Sequence, residues 1–297
     1  MRIVIAGASG LVGQALTAEL STRGHQVVRL VRRPSRSSEE VTWDPASRRL
    51  DPGVISGADA VINLSGASIG RLPWTRQYKR TIMSSRIDAT STLVTAIRGA
   101  DVTPKVFLSA SAAGYYGSRP GEVLTEDSPR GTGFLSDVAE QWETAALRVS
   151  DITRVVTLRS GIVLAVDGVL KPLLRLTRLG VSGPLGGGAQ HWPWVSLDDE
   201  VAAIVHLLDS DLAGPVNITG PTPATATALM QYLAKRMRRP FWLPVPAFAV
   251  RLLLGDAAKD LLLVDQRTKP ERLFNDGFVF RHGIMEQAVD AALERGR

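Results

Sequence analysis

Apolar runs and amphipathic stretches alternate along this chain from its first residues. The runs are "RIVIAG" (2–7), "HQVVRLVRR" (25–33), "VTW" (41–43), "DAVINLSGA" (59–67), "KVFLSASA" (105–112) and "TRVVTLRSG" (153–161). Between them lie helical patterns from Leu11 to about Ser21, from about Thr75 to Arg98, and over "GFLSDVAEQWE" (133–143). In that last stretch Phe134, Val138 and Trp142 fall at i, i+4 and i+8 with Leu135 beside them, giving one apolar stripe. Uninterrupted β-branched runs between helices predict strands buried on both faces, hence an α/β fold with a doubly wound parallel sheet.

After about residue 165 the pattern changes. Gly and Pro punctuate "GVSGPLGGGAQHWPW" (180–194), which is predicted to be loop. "GPVNITGP" (214–221) and helical patterns from Ala224, Ala247, Lys259 and Gly283 predict a smaller, mostly helical C-terminal lobe. The expected division is therefore 1–165 and 166–297, with 195–220 returning to the sheet through "VSLDDEVAAIVHLL" (195–208). The apolar segment from Phe248 to Val264 reads as helices packed on the main domain or a homodimer contact, or alternatively as a surface for another partner.

Composition narrows the class. With 297 residues, 44% hydrophobic and 22% charged, the chain is ordinary globular material. It has no cysteine, which excludes disulfides and thiolate metal sites and fits a cytoplasmic location. "MRIVIAGASG" lacks a signal peptide's apolar core, and the greasiest region, 241–264, is broken by Pro244, Pro246, Arg251 and Asp256, so no membrane span is expected. His25, His191, His206 and His282 share no metal-ligand spacing, and no metal site is expected.

The net charge of +6 raises the question of nucleic acid. Residues 1–100 hold 14 Lys+Arg against 7 Asp+Glu, and the remainder 21 against 22. The excess lies where a phosphate-binding turn lies, so a phosphorylated small molecule accounts for it better than DNA or RNA.

That turn is "GASGLVG". Gly7, Gly10 and Gly13 follow the first strand and enter the first helix, with Ser9 and Leu11 between them. A pyrophosphate needs close backbone approach there, and the helix N-terminus supplies N–H donors and a positive dipole end. The second strand ends in Arg32-Arg33, where a site for NAD would place an acid to hold the ribose 2′-hydroxyl. Two guanidiniums suit a 2′-phosphate instead, which favours NADP(H).

The chain resembles the extended short-chain dehydrogenase/reductase superfamily, and within it the NAD(P)-dependent epimerase-like family that carries a C-terminal domain of unknown function. Some members of that family have been labelled cell-division inhibitors. The resemblance rests on "GASGLVG", "WDP" (43–45), "NLSGA" (63–67), "RLPWT" (71–75) with "SSR" (84–86), "SASAAGYYG" (109–117), "GFLSDVAEQWE", "LRSGIVLA" (158–165), "WVSLDD" (194–199), "GPVNITGP" and "LPVPAFAVRLLLG" (243–255). It implies a Rossmann sheet, with Leu64, Ser65, Gly66 and Ala67 under the nicotinamide half of the cofactor. Ser109 and Ser111 close the fifth strand, and Ser111 is the serine expected to polarise a reacting oxygen.

The same superfamily uses a Tyr-x-x-x-Lys pair on the next helix, Tyr as acid/base and Lys gripping the nicotinamide ribose. Phe134 and Val138 stand at the corresponding positions, and neither side chain carries a proton to give. Tyr115 and Tyr116 are the candidate replacements, with Arg119 or Lys79 as the accompanying cation. Asp198 reads as a helix N-cap, and Ser196 stands where relatives often have His. Trp74, Trp192 and Trp194 are candidates to line an apolar substrate pocket, with loop packing the alternative. Two functions stay open: an NADP(H)-dependent oxidoreductase or epimerase on a small carbonyl or hydroxyl compound, and a non-catalytic NADP(H)-binding sensor or docking protein.

Overall fold

The computed structural model describes residues 1–255 and 257–296. Seven strands form its main sheet: β1 (Arg2–Ala6), β2 (Gln26–Val31), β3 (Glu40–Thr42), β4 (Ala60–Asn63), β5 (Val106–Ala110), β6 (Arg154–Ser160) and β7 (Gly214–Ile218). Their order is β7-β6-β5-β4-β1-β2-β3, and every pairing is parallel. In chain order the helices are α1 (Leu11–Thr22), α2 (Arg76–Arg98), α3 (Phe134–Ala146), α4 (Leu170–Arg178) and α5 (Leu197–Asp209). They continue with α6 (Ala226–Arg236), α7 (Ala247–Leu254), α8 (Glu271–Asn275) and α9 (Met285–Arg295).

Strand residues point alternately to opposite faces, and both faces of this sheet are covered. Ile3, Ile5, Ile62 and Leu108 meet Leu16 and Leu20 of α1 with Val201, Ile204 and Leu208 of α5. Val4, Val61 and Phe107, one residue out of phase, meet Leu93, Val94 and Ile97 of α2. This two-sided burial explains why the strands read as unbroken apolar runs. The strand order reverses between β1 and β4, so the turns that follow those two strands flank a crevice at the carboxyl edge of the sheet.

Residues 195–220 run from Ser196 through α5 into β7, which lies beside β6 with Gly214 opposite Val156. The lobe has its own core, in which Leu170, Leu174, Leu229, Leu233, Met285 and Val289 surround Trp192 and Trp194. Both of those indoles are buried, and their Nε1 groups donate to the Leu262 and Thr222 carbonyls, so they pack the lobe, and the cleft they help to line with His191, Thr219 and Gln266 is small. Trp74 is likewise buried, its Nε1 donating to Ile69 O at 2.9 Å. The N-cap of α5 is Ser196, which accepts from Asp199 N at 2.9 Å; the expected cap, Asp198, sits inside the helix and pairs with Arg295. Serine is shorter and reaches back to the third N–H, which leaves Asp198 to meet the C-terminal helix.

In α7, Phe248 and Leu252 are exposed while Val250 is buried. No described helix is long and apolar enough to cross a membrane.

Candidate functional site

The glycine turn and the β4 turn are in backbone contact. Gly7 adopts φ +87°, and a Cβ placed on it would come 2.6 Å from the Leu64 carbonyl carbon. A Cβ on Gly13 would fall 2.2 Å from Gly7 O, so α1 can start this close to β1 only with glycine there. Gly10 differs: its Cβ would meet nothing nearer than Gly7 O at 3.4 Å, so the fold itself tolerates a side chain. Its N–H closes the turn onto Gly7 O at 3.0 Å. Gly10 is also the N-cap of α1 without a side-chain cap, and the first turn of α1 holds no acid. Ser9, Gly10 and Leu11 are exposed there, leaving a positive helix end bare to solvent, the arrangement that receives a pyrophosphate.

At the end of β2 the two arginines have different circumstances. Arg33 forms a two-pronged pair with Glu40 of β3 at 2.7 and 2.8 Å. Hydrogen bonds from Arg33 and from Arg36 N hold the Glu40 carboxyl down to about 2. Arg32 is exposed and makes no ion pair among the described residues. Glu40 was not anticipated. Seven residues from Arg33 in sequence, it becomes a neighbour only because β2 and β3 run parallel side by side.

The β4 turn is shaped by α2. Asn63 donates to Thr90 Oγ1 at 2.9 Å and accepts from Ser65 N, and Ala67 N donates to Ser85 Oγ at 2.9 Å. Beside Ser85, the Arg86 guanidinium lies so near Gly66 that a Cβ there would be 3.0 Å from its central carbon.

The β5 end departs from expectation. Ser109 is wholly buried at the strand's close, its hydroxyl meeting only the Ala110 carbonyl, at 3.5 Å, among the described residues. Ser111 is also buried and donates to Glu143 Oε1 at 2.6 Å, which ties its hydroxyl to α3. Glu143 in turn receives Arg159 of β6 on both oxygens, at 2.8 and 2.9 Å. Burial works against the Arg159 charge, yet the hydrogen bonds and field of Glu143 outweigh it and hold the guanidinium above its ordinary range.

Tyr116 belongs to the same buried network. It is fully inaccessible, donates to Asn217 Oδ1 at 2.7 Å and accepts from Arg159 at 3.0 Å. Burial pushes its hydroxyl up to about 12, against the opposing effect of Arg159. A side chain so placed holds β6, β7 and the loop together and does not reach the crevice. Tyr115 is half-buried, with the Arg159 carbon 3.6 Å from its ring centre and its hydroxyl unbonded among the described residues. The cation beside it is therefore Arg159. Of the two expected cations, Arg119 pairs with Glu122, and Lys79 lies over the Phe134 ring at 5.2 Å.

On α3, Phe134 and Val138 turn into an apolar cluster with Trp74 and Ile82, Phe134 edge-on to Trp74 at 5.5 Å. Asp260 of the lobe reaches the start of this helix and accepts from Leu135 N at 3.3 Å, its carboxyl raised by burial. Residues 3–219 match the family model described as the NAD dependent epimerase/dehydratase family. The chain belongs to that family. Residues 245–292 of this epimerase-family protein match a second model, a domain of unknown function.

Two of its relatives agree with it in length as well as in sequence, and a third is much longer. An epimerase family protein of Mycobacterium leprae is 39% identical over 296 residues, covering 99% of this chain and 96% of the relative. The crystal structure of human epimerase family protein SDR39U1 with NADPH superposes with a TM-score of 0.91 at 30% identity, covering 99% of both chains. A nucleoside-diphosphate sugar epimerase of Corynebacterium glutamicum gives 0.81 at 31% identity, covering 99% of this chain and 58% of that one.

Proposed function

We propose that this protein binds NADPH in the crevice between the β1 and β4 turns and acts as an NADPH-dependent oxidoreductase or epimerase on a small carbonyl or hydroxyl compound. The observation that carries the reading is the glycine cradle, where side-chain-free backbone and the uncapped start of α1 meet the Leu64–Ala67 turn at the point of strand reversal. The human relative of the same length is described with NADPH, which supports the same cofactor here. Gly7, Ser9, Gly10, Leu11 and Gly13 would hold the pyrophosphate. Arg32, steadied by the neighbouring Arg33–Glu40 pair, would hold the 2′-phosphate.

When bound, the cofactor supplies a hydride donor or acceptor, and the chain's own residues position it and manage the proton. Phe134 and Val138 leave α3 without the usual Tyr and Lys. Of the four hydroxyls near the end of β5, that of Ser109 is wholly buried at the strand's close, and those of Ser111 and Tyr116 are spent on the Glu143–Arg159 network. Tyr115 retains a free hydroxyl on a ring fixed by Arg159, and we assign it the proton. The substrate would lie beside it, near the start of α3. A cytoplasmic location and a homodimer fit the absence of cysteine and the exposed face of α7, respectively.

The second reading, a cofactor-binding sensor without turnover, is favoured by the apolar face that α3 turns to Trp74. Titration of NADPH fluorescence, followed by a carbonyl panel monitored for NADPH loss, separates the two. Turnover abolished by Tyr115→Phe supports the enzyme. Tight binding with no turnover on any compound supports the sensor, and no binding of NADPH removes both.

A further inference from the structure

Arg86 is a cation without a counter-charge among the described residues. It projects from α2, half-buried, donating to Ile82 O at 2.9 Å and stacking on the Trp142 ring at 5.0 Å. No carboxylate pairs with it among the described residues, and burial pulls its pKa down to about 10. A guanidinium carries five N–H donors, and a partly desolvated one with a single protein acceptor has several left to satisfy. The adjoining Trp142 Nε1 is also buried and without a hydrogen-bond partner among the described residues. An Arg86 guanidinium with unspent donors, stacked on Trp142 and facing the backbone of Gly66, forms a place for an oxygen-rich group that the described residues do not provide.

The location gives that group an identity. The guanidinium abuts Gly66 in the turn assigned to the nicotinamide half of the cofactor. Trp142 stands one helical turn beyond Val138, the position at which a lysine would grip the nicotinamide ribose.

We propose that Arg86 supplies from α2 the cation that α3 lacks, and that its fork of N–H groups holds the cis-diol of the nicotinamide ribose. Two neighbouring hydroxyl oxygens suit a planar guanidinium, which offers paired parallel donors. Trp142 holds that plane in place from one side, so little rotamer freedom is lost on binding. The inference rests on the NADPH reading above and adds to it one residue and its target atoms.

The experiment compares two probes on the full chain: NADPH, and adenosine 2′,5′-bisphosphate, which keeps the adenine half and its 2′-phosphate but has no nicotinamide ribose. Arg86→Met retains an apolar stem over Trp142 and removes the donors. Arg86→Lys restores a charge without the fork. In Arg86→Met we expect the NADPH dissociation constant to rise about tenfold or more, as for loss of a charge-assisted hydrogen bond, with the bisphosphate unchanged. Arg86→Lys should fall between Arg86→Met and the parent. Unchanged NADPH affinity overturns the proposal. So does equal weakening of both probes, which marks a structural role, and melting curves of each variant show whether the fold is intact. If the unaltered protein binds the bisphosphate but gains nothing from the nicotinamide half, the Arg86 assignment alone fails. If it binds neither probe, the NADPH reading fails with it.

Discussion

Ser111 donates its hydroxyl to Glu143 at 2.6 Å, and the same carboxylate is clamped by Arg159 at 2.8 and 2.9 Å. The serine at the end of β5 therefore belongs to a buried ion pair that ties β5, α3 and β6 together. Removing one partner of such a pair strands a desolvated charge, which typically costs about 3–5 kcal/mol. Glu143→Ala should accordingly lower stability on that scale. Ser111→Ala, which leaves the ion pair intact, should cost only about 1 kcal/mol. Urea unfolding of the two variants checks the order. Near-equal losses would show that the pair is not the element holding this junction.

Substitutions in the glycine turn should separate folding from binding. Gly13→Ala places a methyl 2.2 Å from Gly7 O, where backbone must move, so the melting temperature should fall and NADPH binding with it. Gly10→Ala meets only an ordinary contact at 3.4 Å, so the melting temperature should hold while the methyl crowds the pyrophosphate. Binding lost in a variant that melts like the parent locates the cofactor at this turn. Full NADPH affinity in Gly10→Ala would place it elsewhere.

Glu200, in α5, makes stability depend on pH. It is buried, accepts from Ser160 Oγ at 2.6 Å, and has its second oxygen unpartnered among the described residues. Burial raises its carboxyl to about 7, the Ser160 hydrogen bond acting in the opposite direction. A raised carboxyl pKa means the folded protein keeps a proton that the unfolded chain has released. The stabilisation is complete below the unfolded value near 4.5 and is lost as pH rises through about 7. Thermal melts across that window should show falling stability, and Glu200→Gln should flatten the slope. An unchanged slope in the variant would assign the pH dependence to other groups.

The strands, the glycine turn and α3 were legible because their causes are local. Apolar period, the need for Cβ-free backbone and helical spacing are all written within about ten residues. The fate of Ser111 and Tyr116 was not local, because it depends on Arg159 and Asn217 arriving from β6 and β7. The signal for that network was present as two anomalies: a charge inside the apolar run "VVTLRSG", and Glu143 on the alanine stripe of α3. Arg86 was visible only as part of "SSR", since its partial burial and its lack of a counter-charge among the described residues arise from how α2 crosses the β4 turn. The tryptophans resembled pocket walls because sequence does not show which loops the lobe folds over them.

Selectivity between cofactors should rest on Arg32 more than on Arg33. Both Nη groups of Arg33 are occupied by Glu40, while Arg32 is exposed without an ion pair among the described residues. Arg32→Ala should weaken NADPH about tenfold or more, the scale of one guanidinium–phosphate contact, and leave NADH, which has no 2′-phosphate, nearly unchanged. Arg33→Ala has a second consequence, because it uncovers a carboxylate that the arginine had neutralised. Glu40 would then repel a 2′-phosphate and could accept from a ribose 2′-hydroxyl, so this variant should lose NADPH affinity and gain some for NADH. Parallel fluorescence titrations with the two nucleotides decide between these outcomes. If Arg32→Ala weakened both nucleotides equally, the arginine would be acting on the fold or the pyrophosphate, and the basis of NADPH preference would lie outside β2.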